Sequence, residues 1–357
     1  MTARDRAPGF ARARRILAEA VATGAFPGGV TEVGRKDTPL WREAFGRLEA
    51  GAAAPPVETD TPYDLASLTK VLATGPLFMS LLDEGRIDLE DPVSRWIPTW
   101  RGADRESVTV RDLLTHCSGL TAHLPFYRDI QGRPDFERAI SALALEYSPR
   151  SQAVYSDLGF ILLGFIAENA GEEPLRSQVE RLVGRVPDAT VGFGPIREGR
   201  ERVAPTEVDP WRGRLLRGEV HDGNAWALGG AAGHAGLFGT AEGVGALARV
   251  FMKGLAGENT VLGRAVTIRR FSRKQTVAGS SRALAWDTML PTSSCGVAMH
   301  PTAIGHTGFT GTSLWIDWES DVYVVLVTNR VHPSAANEAI LGVRPAFHDA
   351  VMHDIRG

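Results

Sequence analysis

Serine and lysine three residues apart share one face of a helical turn. Ser67-Leu68-Thr69-Lys70 has that spacing. An ammonium within reach of the hydroxyl lowers the cost of forming an alkoxide, and a desolvated neutral amine can take the serine proton. A helix N-terminus at the serine adds partial positive charge. The chain has only four lysines (Lys36, Lys70, Lys253 and Lys274), and no other lies three residues after a serine. The pair also opens an apolar stretch, where an unpaired ammonium is costly. Taken alone, the pair equally fits an ordinary solvated helix start.

Two further elements have the same double character. Tyr155-Ser156-Asp157 precedes the apolar run that begins at Leu158. A tyrosine at such a junction can point its hydroxyl into a cleft, and nearby ammonium groups would lower its pKa toward that of a general base. The plain alternative is a packed tyrosine beside a helix-capping Ser or Asp. His306-Thr307-Gly308-Phe309-Thr310-Gly311 reads as a strand bounded by glycines. Glycine lets a ligand approach the backbone, so such an edge can pair with an acyl substrate.

In combination, these three boxes resemble those of class C β-lactamases, DD-peptidases and family VIII carboxylesterases, whose usual forms are Ser-x-x-Lys, Tyr-x-Asn and Lys-Thr-Gly. Their order and the gaps between them match. Leu82 to Val93 and Val108 to Leu120 are similar to family segments between the boxes, so the likeness covers most of residues 25 to 330. Val220 to Ala225, Gly229 to Thr240 and Gly305 to Asp317 resemble a DD-carboxypeptidase branch, the penicillin-binding protein 4B-like group.

The resemblance implies an acyl-enzyme mechanism. Ser67 would attack an ester or amide carbonyl, and Lys70 and Tyr155 together would manage the proton. The backbone N–H groups of Ser67 and Phe309 would form the oxyanion hole. Asp157, His306, Thr307 and Gly308 would hold the substrate. Two positions depart from the family pattern. His306 stands where lysine is usual and titrates near neutrality, which makes it a weaker anchor for a substrate carboxylate. Asp157 replaces asparagine, cannot donate an amide hydrogen bond when ionised, and could pair with Lys70. Both changes disfavour efficient β-lactam hydrolysis. The expected function is therefore a hydrolase of small esters or related acyl compounds, with weak β-lactam turnover at most. A DD-carboxypeptidase or D-amino-acid peptidase is one alternative, and a non-catalytic penicillin-binding sensor another.

The elements that must position these residues are readable from periodicity. Phe10 to Val21 is an amphipathic helix, and Gly28 to Leu48 a hairpin turning at Arg35-Lys36-Asp37. Ser67 to Leu82 is helical with a kink or break at Gly75-Pro76. Val108 to Leu114, Ala139 to Leu145 and Leu158 to Ala170 are further helical stretches. Ala303 to Phe309, Ser313 to Trp318 and Val322 to Thr328 form an antiparallel meander, and Asn337 to Met352 a closing helix. The pattern predicts an α+β fold of β-lactamase/transpeptidase-like type, an antiparallel sheet flanked by helices. Residues 1–75 and 226–357 would form the sheet-bearing part, with 76–225 inserted as a mainly helical domain. A cleft is expected where the two meet.

The remaining features bound the function. With 357 residues and a formal charge of −3, the chain gives no electrostatic case for nucleic acid. No stretch reaches the length of a membrane span, and the first residues lack the apolar core of a secretory signal, so a cytoplasmic location is expected. The expected partner is a small-molecule ester, a β-lactam or a short peptide. No phosphate loop, dinucleotide fingerprint or Gly-x-Ser-x-Gly is present, and the reading requires neither cofactor nor metal. Cys117 and Cys295 read as reduced buried thiols, although Cys117 beside His116 could suggest a cysteine hydrolase. His221, Asp222 and His234 lack metal-ligand spacing and read as cleft-lining residues.

Overall fold

Strands from opposite ends of the chain pair with each other. In the computed structural model, which describes residues 9–277 and 279–356, the main sheet has six strands. They are β1 (Gly28–Gly34), β2 (Pro39–Gly46), β3 (Asp287–Thr288), β4 (Ile304–Thr307), β5 (Ser313–Asp317) and β6 (Val322–Thr328). Their order is β2-β1-β6-β5-β4-β3, with every pairing antiparallel. Gly29 faces Thr328 and Gly34 faces Tyr323, which closes the chain on itself.

Both faces of the sheet are covered, which explains why β6 reads as an unbroken apolar run. Tyr323, Val325 and Val327 join one core, and Val322, Val324 and Leu326 join another, because alternate side chains leave opposite faces. Five helices pack into these two cores: α1 (Ala11–Ala22), α2 (Gly75–Asp83), α3 (Asp157–Gly171), α4 (Ala241–Ala256) and α5 (Ile340–Arg356). Helix α1 buries Ala13, Leu17 and Ala20. Its first N–H groups have no cap from Phe10. They are met instead by Asp354 of α5, whose Oδ2 accepts from Arg12 N at 3.0 Å and Ala13 N at 3.2 Å.

The expected hairpin, meander and terminal helix are present, and the fold is of the expected α+β type. Several details differ. Gly75-Pro76 does not break the helix. A wide π turn over Lys70–Thr74 runs directly into α2, with the proline in the first turn of α2, where its missing N–H is tolerated. The helix expected over Ala139 to Leu145 instead spans Arg133–Ala142, starting with Pro134 in its first turn. Between 184 and 236 the chain is largely irregular. There, Val191–Phe193 joins a three-stranded sheet with Tyr63–Asp64 and Leu237–Gly239, and Val208–Asp209 pairs with Arg214–Leu215 as a small hairpin. The short edge strand β3 had no alternating pattern to mark it. Among the described residues no helix is long and apolar enough to cross a membrane.

Candidate active site

Ser67 sits in a tight 3-10 turn (Ala66–Leu68) rather than at the start of a regular α-helix. The preceding Ala66 adopts a left-handed conformation, φ 46°, which is sparsely populated by residues with a Cβ. It is held there by the buried Asp64, whose Oδ1 accepts from Ala66 N at 2.8 Å and whose Oδ2 accepts from His221 N at 2.7 Å. Desolvation raises the Asp64 pKa, opposed by these two N–H groups.

Three side chains expected from sequence meet at Ser67 Oγ. Lys70 Nζ donates to it at 3.0 Å and the Tyr155 hydroxyl at 2.8 Å. Lys70 is 0 % exposed, and its two remaining donors go to Asp157 Oδ1 at 2.8 Å and the His234 carbonyl at 3.1 Å. All three ammonium donors therefore have acceptors. Ser156 caps α3 by accepting from Gly159 N, which sets Tyr155 and Asp157 on either side of the cap. The pairing of Asp157 with Lys70, open from sequence, is realised.

The electrostatics correct one expectation about Tyr155. Its pKa is raised, because burial outweighs the Lys70 ammonium 4.8 Å from the ring centroid. Burial alone would lower Lys70, but the Asp157 charge leads a set of contacts that raises it on balance. Asp157 is held well below the usual carboxylate range. Burial opposes this, but the Lys70 charge and His123, with Nδ1 at 3.8 Å from Oδ2, prevail. At rest the site thus holds a cationic lysine and a neutral tyrosine.

His306 departs further from expectation. Burial, then the charges of Arg282 and Lys70, push its pKa well below the ordinary histidine value. Its Nδ1 lies 2.8 Å from the Thr307 carbonyl, so the proton belongs on Nδ1. His306 is neutral and cannot anchor a carboxylate by charge. The cation is Arg282, which sequence reading missed. Its guanidinium lies 5.1 Å from the Tyr155 ring centroid, and Asp287 Oδ2 is 3.9 Å from its Nη1. Nothing local marks this residue in so arginine-rich a chain.

Gly308 and Phe309 follow β4. A Cβ on Gly308 would lie 2.6 Å from the Leu65 carbonyl oxygen and 2.1 Å from Thr312 Oγ1, so only glycine permits this approach. Thr310 Oγ1 donates to Asp64 O at 2.7 Å and Thr312 Oγ1 to Leu65 O at 3.0 Å. These bonds clamp the backbone ahead of Ser67 against the segment carrying Phe309. In the turn, Gly308 N donates to Thr312 O and Gly311 N to Gly308 O, so Phe309 N–H is not used by the turn. Such a pair of fixed N–H groups, Ser67 and Phe309, can stabilise a developing oxyanion.

Ser67, Tyr155, Asp157, Arg282, His306 and the 307–309 segment border a cleft of about 1010 Å³, with Lys70 buried behind Ser67. His221 and Asp222 also line it. His234 is buried beneath and pairs through Nε2 with Asp222 Oδ1 at 2.8 Å. Cys117 and Cys295 are buried free thiols, and burial pushes the Cys117 pKa up to about 11, which makes a nucleophilic role untenable. The His116 ring lies tilted against Tyr155 at 4.6 Å, and its Nδ1 accepts from Ser156 N at 2.9 Å, a supporting contact rather than a partner for the thiol.

Solved structures share this architecture. EstCE1, a hydrolase with promiscuous acyltransferase activity, superposes with a TM-score of 0.72 at 20 % identity, covering 94 % of this chain and 97 % of its own. A class C beta-lactamase from Rhodobacter sphaeroides gives 0.74 at 18 % identity, covering 96 % and 99 %. In sequence, a Salmonella gallinarum protein named "Putative D-alanyl-D-alanine carboxypeptidase" is 32 % identical over 317 residues, 79 % of this chain and 72 % of that protein. The model of the Beta-lactamase family matches residues 13–344. With that span matched, the chain belongs to the beta-lactamase family of serine hydrolases.

Proposed function

We propose that this enzyme hydrolyses small esters or related acyl compounds through an acyl-enzyme on Ser67. The observation that carries this reading is the double hydrogen bond onto Ser67 Oγ from Lys70 Nζ and the Tyr155 hydroxyl. When Lys70 or Tyr155 gives up its proton, it becomes the base for Ser67. The Ser67 Oγ–H bond breaks, Oγ bonds to the carbonyl carbon, and the oxyanion rests on Ser67 N and Phe309 N. Collapse expels the leaving group, which takes its proton by way of Tyr155. Water then repeats the sequence and frees Ser67. Thr307 and Gly308 give the acyl group a strand edge, because β3 pairs only with Ile304 and Gly305 of β4.

A second reading, a peptidase whose leaving group is an amino acid with a free carboxylate, is favoured by Arg282. It supplies the fixed positive charge that the neutral His306 cannot. The relatives named for D-alanyl-D-alanine carboxypeptidase activity agree with it.

Both readings are tested by turnover of p-nitrophenyl butyrate and of a D-Ala-D-Ala peptide, with intact mass to detect an adduct. Ser67→Ala should abolish both turnover and adduct. If Ser67→Ala retained ester turnover, the acyl-enzyme reading would fall. Release of D-alanine that Arg282→Gln weakens chiefly in KM would favour the peptidase. Rapid ester cleavage without D-alanine release would reject it.

A further inference from the structure

The cleft has an aromatic wall that the chemistry at Ser67 does not use. Trp211, 43 % exposed, and Tyr127 both border the cleft. Their rings meet edge to face at 4.9 Å and 81°, and Trp211 meets Trp226 in the same way at 5.5 Å and 79°. A single exposed ring is ordinary, but a cluster of rings on a cleft wall, held in place by buried polar groups, marks a binding surface.

Trp211 lies at the tip of the 208–215 hairpin, which is pinned rather than loose. Arg212, with a side chain 2 % exposed, donates to Asp209 Oδ2 at 3.1 Å, the Val220 carbonyl at 2.9 Å and the His221 carbonyl at 2.5 Å. Its guanidinium also lies 5.6 Å from the Trp226 ring centroid. Asp209 Oδ1 fixes Trp211 N at 2.8 Å, and Val208 N donates to Pro333 O at 2.9 Å. On the other side, Gly223 lets Tyr127 lie against the backbone, since a Cβ there would come within 2.6 Å of the ring.

The carboxylates at this end of the cleft are already engaged. Asp157 is paired with Lys70, Asp222 with His234, Glu207 with His221 and Asp209 with Arg212. With these carboxylates engaged, an ammonium ligand gains little here, and the ring surfaces remain to be covered, with the Arg128 guanidinium 5.8 Å from the Tyr127 ring centroid. The position relative to the chemistry selects which half of the substrate arrives. Arg282 and His306 crowd Tyr155, the residue that returns a proton to the leaving group. Trp211 and Tyr127 pack instead on the 223–226 segment, which reaches the site through Asp222, His234 and Lys70.

We propose that Trp211 and Tyr127 form a subsite for a flat aromatic or cyclic group on the acyl half of the substrate. This rests on the acyl-enzyme reading above and narrows its substrate class. A ring placed on a preorganised aromatic wall gains contact area and favourable edge-to-face geometry without the cost of ordering the protein.

The test holds the leaving group constant and compares p-nitrophenyl phenylacetate with p-nitrophenyl acetate on the full chain. The wild type should prefer the phenylacetyl ester in kcat/KM. Trp211→Ala should reduce the ratio of the two kcat/KM values about tenfold, within the range expected for losing one apolar subsite contact. Trp211→Phe should restore most of the ratio. Tyr127→Leu, which leaves the hydrogen bonds that pin the hairpin in place, should also reduce it, and gives a second reading if Trp211→Ala lowers Tm. Equal kcat/KM for the two esters in the wild type, or a ratio unchanged in both Trp211→Ala and Tyr127→Leu, would overturn the subsite. Residual turnover in Ser67→Ala would instead count against the acyl-enzyme reading, so the two failures are distinguishable.

Discussion

Asp157 Oδ1 lies 2.8 Å from the fully buried Lys70 ammonium and is the contact that most strongly keeps the lysine protonated. Burial alone would drive Lys70 the other way. The resting site therefore carries one proton more than a base for Ser67 can have. Activity should rise with pH through the alkaline range as that proton is lost.

Asp157→Asn removes the charge but keeps the shape and a carbonyl acceptor. Desolvation of Lys70 is then opposed chiefly by the weaker contacts with Tyr155, and its pKa falls. The rising limb of the kcat/KM profile should move to lower pH by about 1–3 units, the usual influence of an adjacent opposite charge. An unmoved limb would assign it to a group other than Lys70. Because Tyr155 is also raised, Tyr155→Phe provides the complementary profile, with kcat/KM reduced about 10²–10⁴-fold if the phenol transfers protons.

Gly308 should not tolerate even alanine. The added methyl would meet the Leu65 carbonyl oxygen at 2.6 Å, and backbone cannot swing aside as a side chain can. The strand end would have to retreat, drawing Phe309 N–H away from Ser67. We expect Gly308→Ala to lower kcat about 10²–10³-fold, as loss of one oxyanion donor does. KM should change much less, and circular dichroism should remain native. A variant with near wild-type kcat would remove Phe309 N–H from the oxyanion site.

How much of this site could be read from residues alone depended on the kind of signal each carries. Ser67, Lys70 and Tyr155 come together because their motifs fix spacing on short rigid elements, a 3-10 turn and the cap of α3. The strands of the meander were legible because β-branched runs filled two cores at once. Arg282 was not legible, since its position above Tyr155 depends on the return of a loop far along the chain. Nor were the charge states. The neutrality of His306 and the raised Tyr155 follow from burial, which no local pattern encodes. The hairpin carrying Trp211 was hidden inside a stretch expected to be helical, because its strands are two residues long and lack alternation.

Buried neutral histidines set a further prediction. His348, fully buried on α5, has its pKa lowered to about 4 by desolvation, against 6.5 when unperturbed. The folded state therefore refuses a proton that the unfolded chain accepts. Its contribution is fully present above about pH 6.5 and is lost as pH falls toward about 4, because in that window the unfolded state binds more protons. The full loss is about 3 kcal/mol for a change of this size. His116 and His306 are lowered as well and act in the same direction. Tm should thus fall on acidification from pH 7.5 to 5. His348→Met, which cannot titrate, should show a smaller fall even if its Tm at pH 7.5 is reduced. An equal fall in the variant would mean that His348 is already protonated in the fold, or that it finds water where the side chain is now buried.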